Sequence, residues 1–220
     1  MPTELIYTDG ACSGNGKSTA TGGFGVFIAK SALSLPLKIN KKGVSMEFKI
    51  NGKMEGFFHV TNIRMEGLAI VSTLALYVNA LVDDAANGTT DIVKRLNECD
   101  PFKTDTLRIA YGPNELRSSR TRNDVSIEIV TDSKFWIDVI QSWMSGWIRK
   151  GIMMEKKNPD ILLMLRYYTE VLKQNEIDVK FTHVRSHQKG KRTEHADGND
   201  VADVLATSAS RNITTDFYLQ

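Results

Sequence analysis

Cysteine is scarce in this chain: Cys12 and Cys99 are the only two in 220 residues. Two thiols cannot build a disulfide framework, and so few point to a reducing compartment, cytoplasmic or nuclear. Long apolar runs are missing as well, none approaching the roughly 18 residues that a membrane span requires. The chain opens directly on the strand-like Thr3-Glu4-Leu5-Ile6-Tyr7, so no basic, apolar or amphipathic leader is expected. Repeats and low-complexity segments are lacking too, which excludes a repeat architecture. Nor is there an excess of either charge, since the formal net charge is only +2.

What is present is the composition of an ordinary soluble domain, 41% hydrophobic and 25% charged. The length suits one domain enlarged by insertions better than two. Positive charge gathers in two places. Arg149, Lys150, Lys156 and Lys157 surround Trp143 and Trp147, and Lys180, Arg185, Lys189, Lys191 and Arg192 share a segment with three of the four histidines. Rings interleaved with cations suit a nucleic-acid backbone, where cations meet phosphates and rings pack on sugars or bases. A solvated helix face has the same composition, so charge alone does not separate the two.

Leu5 to Thr8 reads as a buried strand ending at Asp9-Gly10, and Gly22 to Ala29 as a second whose glycines allow close backbone approach. Ser45 to Ile50 and Lys53 to Val60 flank Asn51-Gly52 and predict an antiparallel hairpin. Met65 to Leu81 carries apolar residues at helical spacing with few charges, which predicts a well-buried helix. The pattern weakens from Asp83 to Asn123, with one short helix predicted from Asp91 to Asn97. Val125 to Thr131 alternates as a strand and ends at Asp132-Ser133, the serine placed as a helix cap. Helices are predicted from Lys134 to Lys150, from Asn158-Pro159-Asp160 to Gln174, and from Asn199 to Ser210, with a strand from Ile177 to His183. The order predicts an α/β layer, antiparallel strands first and strand–helix crossovers after.

Asp9 and Asp132 each fall where an apolar strand is predicted to end, at the rim of a sheet, where open α/β folds bind ligands. Glu66 lies near the start of the apolar helix and Asp203 within the last one. On so apolar a helix Glu66 calls for a partner, because an unpaired buried carboxylate is costly. Four carboxylates without a Cys/His cluster favour Mg²⁺ or Mn²⁺ over zinc. Any one of them, taken singly, is equally well a cap or a surface acid. Ala11 to Ser18 fits a relaxed phosphate-binding loop, but glycines and β-formers follow instead of the helix such a loop requires, so that reading is set aside.

Together these segments resemble ribonuclease H of type 1, over nearly the whole chain. Tyr7-Thr8-Asp9-Gly10-Ala11-Cys12-Ser13-Gly14-Asn15-Gly16 is similar to that family's first strand, and Thr61-Asn62-Ile63-Arg64-Met65-Glu66 to its Thr-Asn-x-Arg-x-Glu helix start. Thr131-Asp132-Ser133 matches its third acidic motif, and Trp143, eleven residues on, with Trp147, Arg149 and Lys150 resembles its basic handle. His183-Val184-Arg185-Ser186-His187 resembles its histidine loop, and Gly198 to Ala206 its Gly-Asn-x-x-Ala-Asp-x-Leu-Ala helix. Each motif is weak alone; together and in order they are specific.

The resemblance implies a ribonuclease H-like fold: a central mixed five-stranded sheet, strands one to three antiparallel and the rest parallel, flanked by helices. Residues 1–220 then form a single catalytic domain with insertions near 31–52 and 83–123. It implies endonucleolytic cleavage of the RNA strand of an RNA·DNA hybrid, leaving 3′-hydroxyl and 5′-phosphate ends, by a chain acting as a monomer away from membranes. Two Mg²⁺ ions, with Mn²⁺ able to substitute, are implied between the acids, about 4 Å apart. Asp9 bridges them, Asp203 holds the nucleophile-side ion, and Glu66 with Asp132 the other. His187 would assist product departure or shuttle a proton, with His195 as its rival and His183 a structural residue. Cys12, Gly14 and Asn15 match positions facing RNA 2′-hydroxyls. Asn62 matches a minor-groove contact, Trp143 and Trp147 a DNA-strand channel, and Thr61 with Asn158 a DNA-phosphate pocket. The chain departs from the family at Ile63, where Asn or Gln is usual, and in the longer stretch from His187 to Asp203. No separate N-terminal hybrid-binding domain is expected. Two alternatives remain open: a nuclease of the same superfamily acting on DNA, and a binding module that holds hybrids without cutting.

Overall fold

The computed structural model describes residues 3–30, 37–43, 46–50, 53–81, 126–174, 177–186 and 193–211. Asn51 and Gly52 of the expected hairpin, the expected insertion at 83–123 with its predicted short helix, and His187 with the basic residues at 189–192 lie outside the described residues.

A five-stranded mixed sheet forms the centre, in the order β3-β2-β1-β6-β7. Strands β1 (Thr3–Ser13), β2 (Thr21–Lys30) and β3 (Leu37–Gly43) pair antiparallel, and β6 (Ser126–Thr131) and β7 (Asp178–His183) join β1 in parallel. The hairpin β4 (Met46–Ile50) and β5 (Lys53–Phe58) is a separate two-stranded sheet. The edge strand therefore falls within a stretch the sequence suggested was an insertion. Leu37-Lys-Ile-Asn-Lys-Lys-Gly43 has only two apolar residues, too few for a strand signal. An edge strand can be that polar because lysines there discourage pairing with another chain.

Helix α1 (Asn62–Leu81) packs on α4 (Pro159–Gln174), and both cover one face of the sheet, where Ile6, Ile70, Leu74, Ile129, Trp136, Leu165 and Tyr168 form the main core. Helix α5 (Glu194–Ser210) covers the opposite face, beside Leu5, Tyr7, Val130 and Ala202. It begins five residues before the predicted Asn199, because Thr193 caps it, its Oγ1 accepting from the Ala196 N–H at 3.2 Å. His195 thus sits in the first helical turn and not in a loop. Between β6 and α4 runs one broken helix: α2 (Lys134–Asp138), a π-helical turn (Val139–Trp143) and α3 (Met144–Arg149). No helix among the described residues is long and apolar enough to cross a membrane.

Two features bring the sheet and α1 together. Thr61 starts the helix, its Oγ1 accepting from the Arg64 N–H at 3.2 Å. Gly10 then lies against the helix backbone, where a Cβ would collide with Met65 and Glu66. Gly10→Ala is expected to cost about 2 kcal/mol, since backbone must shift, and to move Glu66 away from Asp9. Denaturant unfolding checks the first effect and divalent-ion titration the second.

Candidate active site

The acidic site grows out of the sheet's own register. The parallel pairs end at Thr8 with Thr131 on β1 and β6, and at Thr131 with His183 on β7. Asp9 and Asp132 stand one step beyond. The sequence suggested that β1 stops at Asp9, but it continues to Ser13, paired with β2, with Asp9 opposite Gly25. What ends at this level is the parallel neighbour β6, and that opens the cleft. Asp9 is buried there, and Asp132 half-buried.

Glu66, from the second turn of α1, and Asp203, from α5, complete a pocket of about 320 Å³ that all four acids line together with Cys12, Asn62, Ser186 and Asn199. Glu66 finds the partners its burial demanded. Asn62 Nδ2 donates to one carboxylate oxygen at 2.6 Å and Ser133 Oγ to the other at 2.5 Å. Ser133 therefore does not cap α2 with its side chain; its hydroxyl is turned to Glu66.

Among the described residues no Lys, Arg or His lines this pocket, and the acids show it. Asp9 is pushed up to about 8 by burial first and by Asp132 next, with Asp203 and Glu66 adding and the Gly10 N–H, at 2.7 Å, opposing. Burial also raises Glu66, against the Ser133 hydrogen bond. Asp132 is raised by burial despite a Ser186 hydroxyl. Among the described residues no three His, Cys, Asp or Glu side chains converge on one point. The four acids line the cavity from separate elements. A donor set of four hard, mutually repelling carboxylate groups fits divalent cations such as Mg²⁺.

The other predicted residues divide. Cys12 reaches the pocket, half-buried, its Sγ 3.6 Å from the Val60 carbonyl and its thiol raised by burial. Gly14 and Asn15 lie on the exposed turn after β1 and do not line it. Thr61 and Asn158 each meet buried Arg64, Thr61 at its backbone N–H and Asn158 at its guanidinium. The same guanidinium grips Asp160 at 3.0 and 2.5 Å and reaches Asn158 Oδ1 at 3.2 Å, with Asn158 at a positive φ of 58°. His195 does not line the pocket; its Nδ1 lies 3.2 Å from the Tyr7 hydroxyl. His183 ends β7 on the surface and lowers Asp132 slightly against burial.

The handle carries an aromatic ridge. Trp143 is 41% exposed and meets Phe135, itself 38% exposed, edge to face at 5.8 Å. Trp147, 6.0 Å further on, is half-buried against the core, with Lys156 over its ring at 5.3 Å. Arg149 and Lys150 are exposed behind it. Phe135 escaped the sequence reading because eight residues separate it from Trp143, about 80° out of line on a regular α-helix. The π turn takes up one extra residue and brings the rings onto one face. Ser133, Ser186 and Asn199 lie inside the quoted motifs, but the sequence reading gave none of them a place in the site.

The RNase H family model matches residues 115–211, which include Asp132 and Asp203 and exclude β1 and α1. The chain is 36% identical over 93 residues to a protein of Ruthia magnifica called ribonuclease H, 42% of this chain and 59% of that protein. With the ribonuclease H of Anaeromyxobacter sp. strain K it shares 30% identity over 150 residues, 61% of this chain and 77% of that one. The solution structure of the PFV RNase H domain superposes with a TM-score of 0.52 at 17% identity, over 96% of each chain. That likeness is one of fold.

Proposed function

The chain belongs to the ribonuclease H family, and from that premise we propose that it cuts the RNA strand of RNA·DNA hybrids through Asp9, Glu66, Asp132 and Asp203. The observation that carries the reading is one pocket lined by four acids and, among the described residues, no basic side chain, with Asp9 held far above the usual carboxylate range. Asp9, as the most buried acid and the one acted on by the other three, would bridge two divalent ions, with Asp203 on the nucleophile side and Glu66 and Asp132 on the other. Bound there, such ions activate water and neutralise the departing 3′ oxygen, which leaves 3′-hydroxyl and 5′-phosphate ends.

The protein's own part is positioning. Asn62 and Ser133 hold Glu66, and Ser186 steadies Asp132. The ridge of Phe135, Trp143 and Trp147, with Lys156, Arg149 and Lys150 near, takes the DNA strand, whose sugars offer an apolar face and whose phosphates meet the cations. Thr61 and Asn158 take a DNA phosphate, Cys12 with Gly14 and Asn15 faces the RNA 2′-hydroxyls, and His187 assists product departure.

Incubating one sequence as RNA·DNA hybrid and as all-DNA duplex with protein and Mg²⁺ tests the reading. Cleavage of the hybrid alone is expected; equal cleavage of both would sink it, and binding without cleavage would make the chain a holding module. Trp143→Ala is expected to weaken hybrid binding about tenfold, the scale of one lost aromatic contact. Because that ring is exposed, the melting temperature and the rate at saturating hybrid should hardly change.

A further inference from the structure

The four acids do not account for every polar group in the pocket. Asn199 lines it beside them, is 3% exposed, and its Oδ1 has no hydrogen-bond partner among the described residues. Native proteins rarely leave a buried amide oxygen without a donor. Its surroundings explain the gap. Carboxylates that hold a divalent ion only accept, the Cys12 thiol points to the Val60 carbonyl, and the Ser186 hydroxyl is engaged by Asp132. Among the described residues no donor is left for it.

The amide is held where it is by its neighbours. Gly198 lies on the Tyr7 ring so closely that a Cβ would collide with it. The Tyr7 hydroxyl is tied to His195 Nδ1 at 3.2 Å and donates to the Glu194 carbonyl at 3.4 Å. Asn199 also precedes Asp203 by one turn of α5, so both side chains leave the helix on one face.

Resting on the ribonuclease H reading above, we propose that Asn199 is a positioning residue whose Oδ1 accepts a hydrogen bond from a water held on a divalent ion beside Asp203. A neutral amide oxygen orients such a water without adding a fifth negative charge to the cavity. It acts through the water and touches neither ion. A ribose 2′-hydroxyl is the other O–H donor that could reach the pocket, and the experiment separates the two.

Ca²⁺ is titrated calorimetrically into the full chain without nucleic acid, for wild type, Asn199→Leu, which keeps the shape, and Asn199→Asp, which keeps the acceptor. Melting curves in chelator serve as the folding control. Asn199→Leu is expected to weaken Ca²⁺ binding about tenfold, the scale of a lost outer-shell partner, while Asn199→Asp binds at least as tightly as wild type. Unchanged Ca²⁺ affinity in Asn199→Leu overturns the proposal. So does a loss confined to hybrid binding that disappears when the RNA strand carries 2′-deoxy sugars, because the donor is then the hydroxyl. If Asn199→Leu does not fold, weaker Ca²⁺ binding by Asn199→Asp overturns it on its own. Wild type failing to bind Ca²⁺ at all would bring down the two-ion reading beneath it, a distinct result.

Discussion

Asp9→Asn is expected to abolish hybrid cleavage and, in the same protein, to raise stability when divalent ions are withheld. The first effect should reach about 10³-fold or more, since losing the bridging ligand removes several kcal/mol of charge stabilisation from the transition state. The second follows from the acid's surroundings. Asp9 is pushed up to about 8, from an ordinary value of 3.8, by burial and then by Asp132. Its folded value lies above its unfolded one. The folded protein therefore holds a proton that the unfolded chain releases, and stability falls as pH rises from about 4 to about 8. Above that window the penalty is complete, on the order of a few kcal/mol. Asparagine removes the charge and with it this share of the slope. Denaturation midpoints of both proteins in chelator at pH 5 and pH 8 check it. A wild type as stable at pH 8 as at pH 5 would refute the repulsive pocket, whatever happened to cleavage.

Arg64→Met should be the most damaging change outside the acids. Arg64 is fully buried and Asp160 nearly so, and the two share a bidentate pair that ties α1 to the first turn of α4. Removing the cation leaves a buried carboxylate without its partner, which costs about 3–5 kcal/mol. The loss is expected as a lower urea midpoint with an unchanged slope. Adding Asp160→Leu should recover most of it, because a buried pair replaced by apolar groups of similar size is often neutral. A double variant no more stable than Arg64→Met would show that the pair's own attraction was the larger part. Because Asn158 meets this guanidinium, the single variant should also weaken hybrid binding.

Much of this was legible before folding was considered. The apolar runs of β1, β6, α1 and α4 each match one secondary-structure period, and a buried element needs no more to declare itself. Where the structure departed, local pattern had competed with something distant. β3 is an edge strand that needs few apolar residues. α5 begins early because Thr193 caps it, although the residues that follow carry little helical periodicity. Ser133 sits at a cap position, but a buried carboxylate took its hydroxyl.

The sequence by itself determined the acids, their order along the chain and the elements that carry them, because strand alternation, helical spacing and motif spacing are properties of neighbours. Only the tertiary structure decided what those acids do to one another. Asp9 and Asp203 are 194 residues apart, and no local rule sets their separation in space. The register of β1 on β6, the glycine that lets α1 lie on β1, and the packing of Gly198 on Tyr7 set it together. Burial then raised Asp9, the π turn aligned Phe135 with Trp143, and Asn199 was left facing the acids without a donor. Each of these is a long-range consequence, because charge and packing act through space and a sequence lists its residues only along the chain.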